Sequence, residues 1–191
     1  MKTLLGIDVG TSSVKTMLMH EDGTIIATKK KTYSISIPKQ GWAEQNPEDW
    51  WQGLLWALAK TAEEFPEEIE CVQGIGLTGQ MHGLVAVDIE GKPVRPAIIW
   101  MDQRATKQLE EIQQKIPWRE QAKVFHNRVF NGFALSSLLW IKENEPENYR
   151  RIYKIFQPKD YIRYCLTGSE HPENKERVQY NIGNCPGNLR H

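Results

Sequence analysis

Apolar and polar positions alternate over residues 3–9, with Leu5, Ile7 and Val9 on one face, and this period of two predicts a strand. Residues 14–19 read as a second strand. Glu21-Asp22-Gly23 is a turn signal, and a third strand is expected over residues 24–35. Three strands joined by tight turns make an antiparallel meander. The period then changes. Asn46 suits a helix cap, Pro47 the first helical position, and Glu48 and Asp49 the positive end of the helix. Trp50, Leu54, Leu58 and Phe65 recur at helical spacing, so one apolar face is expected as far as Pro66. Residues 71–78 read as a buried strand with Ile75 and Leu77 between glycines, residues 83–88 as another strand, and residues 93–100 as extended. Asp102 is a cap for a helix running to about residue 115. Later helices are expected over residues 133–144, halted near Pro146, and over residues 158–166, stopped by Gly168, with a short strand over residues 152–156 between them. The order predicts a mixed α/β domain, an antiparallel N-terminal meander followed by strands and helices, with helices on both faces of the sheet.

Composition narrows the class. The chain has 191 residues, and its 24 basic and 24 acidic side chains cancel. That balance gives no electrostatic reason to expect a nucleic acid or an anionic membrane as partner. The apolar runs, such as Ala97-Ile98-Ile99-Trp100-Met101, are too short to cross a bilayer, and the N-terminal run lacks the apolar core of a signal peptide. A cytoplasmic protein is expected. Cys71, Cys165 and Cys185 show no metal-ligand or redox spacing and read as free thiols. Most of the seven tryptophans are expected to pack helices against the sheet.

Two short stretches carry chemistry. Gly6-Ile7-Asp8-Val9-Gly10-Thr11-Ser12-Ser13-Val14-Lys15 joins the first two strands. Gly10 lets backbone N–H groups approach an anion closely, Thr11, Ser12 and Ser13 offer hydroxyls, and Lys15 adds positive charge. Asp8 at the strand end would repel a polyphosphate unless a cation lay between them, so its natural role is to hold Mg²⁺, directly or through water. The string resembles the first phosphate hairpin of the actin, hexokinase and heat-shock chaperone ATPases. The second stretch is Gly79-Gln80-Met81-His82-Gly83, a loop at a strand end. Its glycines allow a sharp turn, while Gln80 and His82 offer the hydrogen-bonding groups a polyhydroxylated ligand needs.

This loop resembles the xylulokinase branch of the FGGY carbohydrate kinases. Three other segments agree in order: Gly41-Trp42-Ala43-Glu44-Gln45-Asn46-Pro47-Glu48-Asp49-Trp50-Trp51, Arg95-Pro96-Ala97-Ile98-Ile99-Trp100-Met101-Asp102-Gln103-Arg104, and Pro158-Lys159-Asp160-Tyr161-Ile162-Arg163. The resemblance spans about residues 3–168 and implies an actin-like (ribonuclease H-like) ATPase domain. It implies ATP and Mg²⁺ as cofactors and D-xylulose as substrate, with Asp8 organising Mg-ATP and Met81 and His82 contacting the sugar. Trp100, Asp102 and Arg104 approach the sugar side, with core packing, a helix cap and a solvated or salt-bridged face as their respective structural alternatives. The segment from Glu44 to Trp51 reads as structural. Gluconate and glycerol kinases carry other residues at the loop, and a non-catalytic sugar-binding module is the reading from another class. In the family the proton-accepting Asp and most of the nucleotide pocket belong to a second domain that nothing in this chain matches. Residues 1–168 are therefore expected to be an N-terminal kinase domain and residues 169–191 a polar, poorly ordered tail. A truncated or frame-shifted product with little activity alone is the corresponding expectation. A homodimer is carried as an expectation for oligomeric state.

Overall fold

The computed structural model describes residues 2–168, so the expected tail, with Cys185, His171 and His191, lies outside the described residues. The meander forms as its pattern dictates. Strands β1 (Thr3–Val9), β2 (Ser13–His20) and β3 (Ile25–Thr32) pair antiparallel, and β5 (Val72–Gly79) adds parallel to β1, giving the order β3-β2-β1-β5. The turn after His20 is closed by Asp22, whose carboxylate accepts from the Thr24 N–H at 2.9 Å. β3 stops at Thr32, short of the expected end, and the chain passes on to a bridge between Ser36 and Glu44.

Helix α1 (Pro47–Glu64) starts as its cap predicts: the Asn46 side chain accepts from the Glu48 N–H. Trp50 and Leu54 are buried against Leu5, Ile7, Val9 and Val14, and α7 (Pro158–Thr167) joins the same core through Tyr161 and Ile162. Both helices therefore cover one face of the sheet, the face of the alternating apolar set. Among the described residues this corrects the expectation of helices on both faces. On the opposite face Leu4 is left largely exposed.

One further expectation holds with an addition, and two are corrected. Pro66 ends α1, as a proline should, but it also opens α2 (Pro66–Glu70), because the first helical position needs no N–H. The strand at 71–78 is not buried: β5 is the edge of the four-stranded sheet, and Ile75 is 54 % exposed. Asp102 does not cap α3 (Thr106–Lys115), whose cap position is Ala105. Two helices not expected from the pattern, α4 (Trp118–Phe125) and α6 (Pro146–Arg151), flank α5 (Ala134–Asn144).

A second, smaller core lies beside the first, and the short strands contribute to both. Strands β4 (Glu44–Gln45) and β7 (Ala97–Ile98) pair, as do β6 (Val85–Val87) and β8 (Lys154–Phe156). Leu84, Ile98, Ala105, Trp140 and Ile141 pack together there, with Trp42 set edge-on to Trp140 at 5.2 Å. Of the seven tryptophans, Trp50 packs a helix onto the main sheet and is fully buried, whereas Trp118 stands mostly in solvent.

Candidate active site

The turn between β1 and β2 is built from residues 10–13 and closed by the Gly10 N–H, which donates to the Ser13 carbonyl at 3.0 Å. Asp8, just before it, stands in register with Lys15 on one side and Thr78 on the other. Residues in register project to the same face of a sheet. The carboxylate thus sits in a row with an ammonium and a hydroxyl at the mouth of the hairpin. Ser12 and Lys15 are exposed, Gly10 and Thr11 half-buried, and Ser13 is buried beneath the turn. The hairpin is pinned from below by Tyr33, whose phenol donates to the Gly10 carbonyl at 2.5 Å.

Burial holds the Tyr33 phenol neutral, raising its pKa well above 10.0, and the Asp8 carboxylate adds to the shift. Tyr161 is raised likewise, burial again first. An unfolded chain ionises these phenols near pH 10 and the folded one does not, so above that pH the folded state binds more protons and stability must fall. Urea midpoints are expected to drop as pH rises past 10. Tyr33→Phe and Tyr161→Phe should each flatten that drop; a slope unchanged in both would contradict the assignment.

The second motif leaves the sheet beside the first. Gly79 pairs with Val9 at the ends of β5 and β1. A Cβ on Gly79 would lie 2.5 Å from the Val9 carbonyl oxygen, so only glycine permits this approach. The Gln80 N–H then donates to the same Val9 carbonyl at 2.8 Å. Two strings some seventy residues apart in sequence thereby meet at the carboxyl ends of parallel strands, where open α/β sheets place their ligands. Met81 is exposed. His82 takes a left-handed backbone, φ 69°, a conformation that costs a non-glycine residue free energy and concentrates at functional sites. Its ring stacks on Phe133, with centroids 4.1 Å apart and planes within 8°. Burial lowers its pKa below 6.5, which favours the neutral ring. Trp100, half exposed, donates its indole N–H to the Thr11 hydroxyl at 3.0 Å and so joins the third segment to the hairpin.

Asp102 and Arg104 are placed differently. The Arg104 side chain is 0 % exposed. Its Nη2 and Nε meet the Asp102 carboxylate at 2.7 and 3.0 Å, its Nη1 meets Glu44 at 2.7 Å, and its guanidinium lies 3.8 Å from the Trp42 ring centroid. Glu44 is also bonded by Arg95, and Asp102 accepts from the Ala43 N–H at 2.6 Å. The pair is turned inward and anchors the segment that carries Trp100. Gln80 is also mostly buried, and its amide nitrogen donates to Gln45 at 2.9 Å.

Sequence reasoning missed Tyr33, Gln45, Phe130, Gly132 and Phe133. Phe130 is exposed and set edge-on to Phe133 at 5.8 Å, so the aromatic wall continues from His82 to the surface. Its one signal in the sequence was a Phe-Asn-Gly-Phe string just before the helix expected over residues 133–144. Among the described residues no group of three or more His, Cys, Asp or Glu is placed to share a metal ion.

Residues 3–177 match the N-terminal domain of the FGGY family of carbohydrate kinases. The chain belongs to that family. It is 44 % identical over 173 residues to a xylulose kinase of Lactococcus lactis and 39 % identical over 173 residues to one of Staphylococcus xylosus, each match covering 91 % of this chain. Those matches take in 34 % and 35 % of the relatives, so the chain spans about a third of the length of the curated relatives it matches. A crystal structure of xylulose kinase from Rhodospirillum rubrum superposes with a TM-score of 0.82 at 27 % identity, covering 85 % of this chain and 33 % of that one. The FGGY neighbours bear out the actin-like α/β class expected from the sequence. No helix among the described residues is long and apolar enough to cross a membrane.

Proposed function

We propose that this FGGY chain is the N-terminal part of an ATP-dependent xylulokinase, which transfers the γ-phosphoryl group of ATP to D-xylulose and yields D-xylulose 5-phosphate. The observation that carries the reading is the meeting of the phosphate hairpin and the Gly79–Gly83 loop at one end of the sheet, through the Gln80-to-Val9 and Trp100-to-Thr11 hydrogen bonds. The hairpin supplies backbone N–H groups, the Ser12 hydroxyl and the Lys15 ammonium to the phosphates. Asp8 fits Mg²⁺ in one respect: a single half-buried carboxylate suits a cation held mainly by phosphate oxygens and water. When bound, Mg²⁺ would neutralise charge on the phosphates.

On the sugar side Met81 and Trp100 offer apolar surface to C–H groups, and the neutral His82 ring offers one donor and one acceptor to hydroxyls. Asp102 and Arg104 act by holding the Trp100 segment rather than by touching sugar. Positioning and charge neutralisation dominate phosphoryl transfer, and both are properties of this arrangement. A cytoplasmic location, small-molecule partners only, and a homodimer belong to the same reading.

Calorimetry tests it. D-xylulose is expected to bind, and His82→Ala to weaken binding about tenfold, the value of one lost hydrogen bond. Unchanged affinity in His82→Ala would sink the sugar-contact role.

A further inference from the structure

Gln45 belongs to neither motif, yet four hydrogen bonds converge on its buried amide. Its Oε1 accepts from the Trp50 indole N–H at 3.2 Å and from the Gln80 amide at 2.9 Å. Its Nε2 donates to the Thr11 carbonyl at 2.8 Å and to the Ser34 carbonyl at 3.3 Å. An indole N–H only donates and a carbonyl only accepts, so the partners dictate which end of the amide is which. One side chain therefore grips the tip of the phosphate hairpin, the first residue of the sugar-side loop, and the fully buried Trp50 of α1. Thr11 is gripped a second time, at its hydroxyl, by Trp100. A buried polar residue serving the core alone would find its partners in the core. Two of the four partners of Gln45, Thr11 and Gln80, belong instead to the two loops that must act together.

We propose that Gln45 is a positioning residue that sets the spacing between the phosphate hairpin and the sugar-side loop. The inference rests on the sugar-kinase reading above. Spacing is what such a site has to control: a misplacement of about 1 Å in a reacting pair costs on the order of a hundredfold in rate. Gln45 is fixed in turn by its own surroundings, since β4 pairs with β7 and Asn46 begins α1. The Glu44-to-Trp51 segment thus has a task beyond starting a helix.

Two variants test this in the 191-residue chain. Gln45→Asn keeps the polarity but is one methylene too short to span its partners. Gln45→Met keeps the length without polar atoms. In both, the Gln80 side-chain N–H protons are expected to exchange with water about tenfold faster, the equivalent of one internal hydrogen bond. The backbone amide resonances of residues 10–13 and 80–83 should move together. Thr61→Val is the control: it removes another buried bond, from the Thr61 hydroxyl to the Ala57 carbonyl at 2.9 Å inside α1. It should leave both sets of resonances in place. D-xylulose affinity is expected to fall about tenfold in Gln45→Asn and to hold in Thr61→Val. If Gln45→Met loses its folded dispersion, Gln45→Asn decides. Exchange rates and loop resonances in Gln45→Asn that match the wild type overturn the positioning role. A wild-type chain that binds no D-xylulose overturns the sugar-site reading instead, and the exchange measurement still decides the role of Gln45.

Discussion

Replacing Gly132 with alanine is expected to remove about 3–5 kcal/mol of folding stability, from left-handed backbone strain and from overpacking together. Gly132 has φ 78°, and a Cβ there would lie 2.0 Å from the Trp100 carbonyl oxygen and 2.9 Å from the Trp100 Cα. The obstacle is backbone, so no rotamer change relieves it. A typical domain has about 5–15 kcal/mol to lose, so the variant should be marginal or unfolded at room temperature. Gly23→Ala separates the two contributions. Gly23 has φ 92° but nothing within 4 Å of a built Cβ, so only the backbone cost of roughly 1–3 kcal/mol applies. Urea midpoints measured side by side give the difference. Equal losses at the two positions would refute the close packing of Gly132 on Trp100. The consequence for ligand binding follows from the same contact. Gly132 seats the α4–α5 connection on Trp100 while Phe133 stacks on His82, so the variant should lose sugar affinity along with stability.

The parts of the fold written in local period were legible in the sequence. Alternation over residues 3–9 and the turn at Asp22 specify the meander, and Asn46-Pro47 specifies the start of α1. What the period could not show is which strand lies at an edge. The run around Ile75 is apolar enough for a central strand, and only the observed order places it at the margin. Pairing partners are a long-range property, while hydrophobic period is a local one. The short helices α2, α4 and α6 escaped for a related reason: five to eight residues give too few turns for a face to repeat.

The candidate site divides along the same line. Asp8, Lys15, Met81 and His82 could be nominated from the sequence because their chemistry is carried by glycine-flanked strings at strand ends. Gln45 and Tyr33 were missed because their roles lie in contacts made across the fold, to Thr11, Gln80 and Gly10. For Arg104 the salt-bridged alternative is the one the geometry matches, whereas Asp102 pairs with it instead of capping a helix. Charged side chains near a motif invite a ligand-contact reading, yet here opposite charges from residues 44, 95, 102, 104 and 145 pair with one another beside the smaller core. Neutralisation by internal partners is invisible in a string.

Arg104→Ala is expected to cost about 3–5 kcal/mol, because breaking a buried ion pair strands the partner charges away from water. The Asp102 carboxylate would keep its bond from the Ala43 N–H but lose its fork partner, and Glu44 would depend on Arg95 alone. Packing is lost as well, since the guanidinium sits 3.8 Å from the Trp42 centroid and 5.0 Å from that of Trp140. Arg104→Lys separates these contributions. Lysine restores the charge but neither the planar fork nor the stacking, so it should recover only part of the loss. Salt gives an independent check. A network with 0 % exposure at Arg104 is scarcely screened, so the cost should be nearly the same at low and high ionic strength. The exposed Lys60–Glu63 pair, 2.5 Å apart on α1, should contribute little at low salt and less at high salt. A cost for Arg104→Ala below about 1 kcal/mol, or one that fades with added salt as a surface pair does, would mean that the Trp100 segment is anchored by something other than this network.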